Sequence, residues 1–205
     1  MPGPAWIHRG RRGLATNRLR AAMLARPKPM LAACAVLAAL ALAACGRESE
    51  PGGKSPAREG LSIPLAGVDY DVFITRELNL RVPPDNAYYK GPAPGKGQTL
   101  YGIFLQACNH GNKSRQTASR FKVVDSQGNS FTPTPLPKDN VFAYQPQRLA
   151  PDQCEPVAGS VAQLGPTAGS MLLFRLPLAI TENRPLELEI TAGPPAQTRR
   201  VELDL

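Results

Sequence analysis

Residues Thr99–Ala107 read TLYGIFLQA, and the fold turns on how that stretch is read. Leu100, Ile103, Phe104 and Leu105 place apolar side chains at both parities. In an extended chain successive side chains point to opposite faces, so this pattern describes a central strand buried on both sides. Met171–Leu176 (MLLFRL) has the same two-sided character.

The flanking segments alternate instead. Val68, Tyr70, Val72 and Ile74 interleave with Asp69, Asp71, Phe73 and Thr75. That is a period of two with one wet face. Phe121 and Val123 lead into the turn Asp125-Ser126-Gln127-Gly128-Asn129 and a short strand at Ser130–Thr132. Leu186, Leu188 and Ile190 alternate with Glu187 and Glu189, and Val201, Leu203 and Leu205 repeat the device. No window past Cys45 holds a 3.6-residue period for three turns. The 18 prolines there, spread through the turns, would break such a helix. About seven short strands with turn signals between them predict an all-β fold, an antiparallel β-sandwich spanning residues 67–205.

Cys108 ends the central strand, and Cys154 lies in the Pro-flanked loop PDQCEP. Outside the cytoplasm two cysteines in one small domain usually pair, so a disulfide is expected. Closing that loop would stabilise the domain by about 4 kcal/mol in the chain-entropy picture. A pair of free thiols, or a soft metal site with His110 nearby, is the alternative.

The order of these segments resembles a known class of bacterial domain. The strand followed by Cys-Asn-His-Gly-Asn at 108–112, then FKVVDSQGNSFTP at 121–133, LLFRLP at 172–177 and PLELEI at 185–190 carry the likeness. They are similar to the extracytoplasmic immunoglobulin-like family related to a secreted immunoprotective antigen. The resemblance covers about residues 67–192. It implies an immunoglobulin-like sandwich outside the cytoplasm, and no activity. The cysteine pair and the long loops depart from the simplest members.

The 205 residues carry a formal charge of +8, but its distribution matters more than its size. Residues 1–44 hold seven of the 24 Lys and Arg and none of the 16 Asp and Glu. The remainder is nearly neutral, so the basic balance belongs to a leader and gives no ground for nucleic-acid binding. Met30–Ala44 (MLAACAVLAALALAA) is uncharged and follows Arg26 and Lys28. A permanent span needs about 20 apolar residues, so this run suits the core of a signal peptide. It ends Leu42-Ala43-Ala44-Cys45, which resembles a bacterial lipoprotein signal. The resemblance implies lipid attachment at the Cys45 sulfur and removal of residues 1–44. Leu31-Ala32-Ala33-Cys34 has the same letters without an apolar run before it. Met23 offers an alternative start with a conventional leader. Residues 45–66 are Gly-, Pro- and Ser-containing and read as a flexible tether.

Signals for catalysis are thin. Gly91–Gly97 (GPAPGKG) has the wrong spacing for a phosphate loop, a glycine after the lysine, and prolines where donors are needed. The pairs Asp69/Asp71, Glu187/Glu189 and Glu202/Asp204 each share a strand face. They lack the further oxygens calcium requires and read as solvated faces. His110 has no orienting partner or nucleophile in the sequence and reads as an exposed turn residue. Asn112-Lys113-Ser114 matches a glycosylation sequon that carries little weight in such a lipoprotein. No cofactor and no metal site is expected, and an enzyme is not.

Two loops stand out, residues 81–98 and 133–151, against connections of about 4–6 residues in compact sandwiches. Tyr88 and Tyr89 sit in the first, Phe142 and Tyr144 in the second. Exposed, they would form a recognition surface for an envelope protein or glycan. Folded back, they would cover the sandwich as a satellite core. The reading that follows is a membrane-anchored binding or scaffolding module, its candidate partner-binding residues Tyr88, Tyr89, Phe142 and Tyr144. The alternative is a solute- or metal-binding accessory to an envelope enzyme or transporter, which requires a concave apolar pocket.

Overall fold

A computed structural model describes residues 55–205. The leader, Cys45 and the first part of the tether lie outside the described residues. No helix among the described residues is long and apolar enough to cross a membrane.

Two five-stranded groups face each other. The first sheet runs β1 (Ala57–Arg58), β12 (Gln197–Glu202), β11 (Glu187–Ala192), β6 (Arg120–Val124), β7 (Ser130–Phe131). The second runs β10 (Ser170–Pro177), β4 (Gln98–Asn109), β3 (Val68–Glu77), β2 (Ser62–Leu65). In it β9 (Gln153–Glu155) continues beside the end of β4. A two-stranded ribbon, β5 (Arg115–Gln116) with β8 (Arg148–Leu149), lies apart. Pairing is antiparallel except between β1 and β12. Strands β3, β4 and β10 on one sheet and β6, β11 and β12 on the other follow the connectivity of an immunoglobulin-like sandwich.

The alternation seen in the sequence sets the inner faces. Tyr70, Val72, Ile103, Leu105, Phe174, Val123, Leu188, Ile190 and Val201 are buried in one cluster between the sheets. On the outer face of the first sheet, register aligns Lys122 with Glu189 and Glu189 with Arg200. Lys122 Nζ lies 2.8 Å and Arg200 Nη2 3.1 Å from the Glu189 carboxylate. Such cross-strand pairs contribute about 0.2–1 kcal/mol each and mainly hold register.

The outer face of the second sheet is different. Leu100 and Phe104 of β4 and Met171 and Leu173 of β10 point there and are buried. The loops on either side of α1 (Asp85–Tyr88) and before β8 cover them as a third layer. This cover is the physical reason TLYGIFLQA is apolar at both parities. Gly102, on the same face, is small because a Cβ there would sit 2.9 Å from the Phe104 ring and 3.1 Å from the Met171 sulfur.

Two departures from the sequence reading concern boundaries. Residues 57–65, assigned above to the tether, belong to the sandwich. Ile63 and Leu65 are buried, and β2 pairs with β3 around Ala66-Gly67, where both residues have positive φ. Four residues give too few alternations to show a period in a Gly-, Pro- and Ser-rich stretch. In β3, Phe73 is an unpaired extra residue between Val72 and Ile74, so the alternation breaks and both Phe73 and Ile74 reach the surface. Beyond this bulge the Glu59 side chain accepts from both the amide and the hydroxyl of Thr75. The carboxylate occupies an edge amide that a further strand would otherwise use.

Candidate functional site

The third layer is built from its own sequence outward. Asp85, buried at the start of α1, accepts from the Asn79 amide at 2.8 Å and lies 2.7 Å from Arg76 Nη2. These contacts fix the first loop onto β3. The single helical turn then delivers Tyr88 edge-on to Phe104 at 4.8 Å and to Phe142 at 4.9 Å between centroids. The second loop is held to the free edge of β10. Thr134 N–H donates to the Leu173 carbonyl, Met171 N–H to Phe142, and Tyr144 N–H to Met171. Asn140 joins the loops, accepting from Phe142 N–H while its amide donates to the Tyr88 carbonyl.

This arrangement corrects the assignment of the four aromatics to an exposed partner surface. Tyr88 is 1 % and Tyr89 8 % exposed, and Phe142 is half-buried against them. Tyr144 points the other way, into the inter-sheet core. It meets Phe121 at 5.1 Å, and its hydroxyl donates to the Ala118 carbonyl at 3.0 Å. The Ala118 amide donates in turn to the Tyr70 hydroxyl. Burial pushes the Tyr144 phenol well above its ordinary pKa and raises Tyr70 as well. The reason is energetic: an aromatic buries about 150–250 Å², and the uncovered face of the second sheet was available for it. What the loops present to solvent instead includes Arg81, Val82, Lys90, Lys96, Lys138, Asp139 and Val141, a surface with more cations than acids.

The buried polar groups are committed to structure. Asn109, fully buried, donates to the carbonyls of Lys113, Leu149 and Ala150 and accepts from Gly111 N–H. It thereby ties the ribbon end to β4. Glu155 accepts from Ser170 Oγ at 2.8 Å and Gln147 Nε2 at 2.6 Å. Asp125 accepts from the side chains of Asn129 and Asn183 and from the amides of Gln127 and Asn129. Those bonds, Asn129 first, lower its pKa. Glu187 and Glu189 are paired with cations, and His110 stands exposed in the turn after Asn109.

Cys108 and Cys154 form a disulfide between directly opposed residues of β4 and β9. It lies within one sheet, whereas antibody domains bridge the two sheets. Among the described residues no three His, Cys, Asp or Glu side chains gather as a metal group would require. A hollow of about 600 Å³ lies over the outer face of the first sheet, lined by Arg120, Lys122, Thr132, Pro133, Glu189 and Thr191. It opens to solvent above the Lys122–Glu189 pair. The positioning residues Asp85, Asn140 and Glu155 went unread in the sequence because their partners lie in other segments. Only the Asx-turn spacing at Asn140 was visible locally.

No family model matches the chain, and neither does any curated protein. Solved structures of similar shape exist. The yjhA protein of Bacillus subtilis is 10 % identical over 72 % of this chain and 99 % of its own, with a TM-score of 0.43. An uncharacterized β-sandwich protein of Clostridium difficile is 11 % identical over 74 % and 97 %, TM-score 0.43. A candidate lipoprotein of Bacillus subtilis, ycdA, is 14 % identical over 70 % and 38 %, TM-score 0.44. Its own two facing sheets make the chain an all-β sandwich.

Proposed function

We propose that this protein is a lipid-anchored, extracytoplasmic and non-catalytic binding or scaffolding module of the cell envelope. It belongs in this reading with the immunoglobulin-like domains related to the secreted immunoprotective antigen. Leu42-Ala43-Ala44-Cys45 supplies the anchor, with acyl chains at Cys45 contributing about 0.8 kcal/mol per buried CH₂. The observation that carries the binding role is the third layer. Two long loops are locked to each other and to β10, so their exposed Lys90, Lys96 and Lys138 are displayed without a large ordering cost on association. A protein or glycan of the envelope with acidic groups is the partner such a surface suits. The non-catalytic reading is supported by Glu155, Asp125 and Asn109, whose polar atoms are spent on internal bonds.

The test has two parts. Intact mass of the protein from the membrane fraction should begin at Cys45 with acyl chains attached, and a chain retaining residues before Cys45 rejects the anchor. Joint replacement of Lys90, Lys96 and Lys138 by Glu should abolish co-purification of the envelope partner without lowering the melting temperature. Unchanged co-purification rejects the loop layer as the binding surface.

A further inference from the structure

The near-neutral domain is polarised along its strands. One end comprises the turn 66–69, residues 109–120 with the β5–β8 ribbon, residues 147–153, and the β11–β12 hairpin 192–199. Gly67 lies against the Arg115 side chain and Gly193 against Ala66, so these segments form one surface. It carries Lys113, Arg115, Arg120, Arg148 and Arg199 against Asp69 and Asp152. The opposite end holds Glu77, Asp125, Glu182, Glu187, Glu202 and Asp204 against Arg58, Lys96, Arg175 and Arg184, a smaller excess of the other sign. The 12 residues of β4 join the two ends, a separation of about 36 Å at strand rise.

The tether leaves at the basic end. β1 runs parallel to β12 with Ala57 opposite Val201, which sets Ser55 level with Arg199. Because β1 and β2 belong to the sandwich, only nine residues lie between Cys45 and Ser55, ten steps of the chain. A chain reaches at most about 3.3–3.6 Å per residue, so the leash is no longer than about 35 Å, roughly the length of the domain. At anything short of full extension, such a leash brings the end from which it leaves closer to the bilayer than the opposite end.

We propose that this end docks on anionic phospholipid headgroups, orienting the domain upright with its acidic end outward. The inference rests on the lipid-anchor reading for its geometry. Each Lys or Arg near an anionic surface adds to the attraction, and the short leash makes the encounter intramolecular. Repulsion of the six carboxylates at the far end opposes the inverted orientation.

The experiment supplies the anchor chemically, so it is independent of acylation in the cell. In the processed chain Cys45 is the one cysteine outside the disulfide. Coupled to a maleimide lipid, it places the chain on vesicles of phosphatidylcholine alone or with about one-third phosphatidylglycerol. Acetylation of Lys113 and Lys96 is then followed by mass spectrometry. Lys113 should be modified about fivefold more slowly on the anionic vesicles, Lys96 at an unchanged rate, and high salt should erase the difference. An Arg115→Glu/Arg148→Glu variant with an unaltered melting temperature should lose the protection. Equal rates for Lys113 on both vesicles, or equal slowing of Lys96, overturn the proposal. Failure to find acyl chains on Cys45 in cells would instead reject the anchor reading.

Discussion

The side-chain amide of Asn140 donates to the main-chain carbonyl of Tyr88 at 2.8 Å, across 52 residues of sequence. That bond closes the two long loops into one layer over the second sheet. It also explains why the layer can be both irregular and fixed: its turns are satisfied from the neighbouring loop, and its aromatics fill the face between them.

Tyr88→Ala should cost about 3–5 kcal/mol, because it opens a cavity against Phe104 and Phe142. Tyr88→Phe should be neutral or slightly stabilising, since the buried hydroxyl has no protein partner. Urea unfolding of both variants reads the difference. A large loss in Tyr88→Phe would show that the hydroxyl is bonded after all.

Removing the disulfide in a Cys108→Ala/Cys154→Ala chain should lower stability by about 4 kcal/mol, from the loop of 46 residues' separation that it closes. Because the bridge joins β4 to β9 within one sheet, the first region to exchange amide hydrogens in that variant should be 147–155. Uniform loss of protection across both sheets would contradict this.

Asn109→Ala leaves three carbonyls and one amide without their bonds to a fully buried side chain, the Leu149 carbonyl in a buried position and the others partly so. The expected loss is at least about 3 kcal/mol. Asn109→Asp is expected to be worse at neutral pH, since a carboxylate faces the same three carbonyls. Its folded pKa would be raised, so its stability should fall as pH rises through that value and recover on acidification. Thermal melts at two pH values suffice to check the sign.

Asp125 behaves oppositely. Its folded pKa is lowered by Asn129 and Asn183 and by two amides. Its stabilisation is therefore present above the unfolded carboxylate pKa of about 3.9 and lost as pH falls through the lower folded value. The stability gap between the wild-type chain and Asp125→Asn should be wide at pH 7 and narrow steadily on descending below about pH 4. A gap that stays constant would mean Asp125 is not held as a carboxylate by the turn.

Much of this was legible in the sequence for a local reason. Side-chain alternation is a property of neighbouring residues, so Val68–Val72, Leu186–Ile190 and the Asp125–Asn129 turn declare themselves. The two-sided run at Leu100–Leu105 announced a cover on both faces without saying what the cover was.

What covered it only the tertiary structure decided. Whether Tyr88, Tyr89 and Phe142 faced water or β4 depended on Asn140, Asp85 and the edge of β10, which are distant in sequence. The direction of Tyr144, the membership of β1 and β2 in the sandwich, and the separation of basic from acidic ends were settled in the same way. Each is a matter of which segments meet, and meeting is set by pairing across tens of residues, where the composition of any one segment is silent.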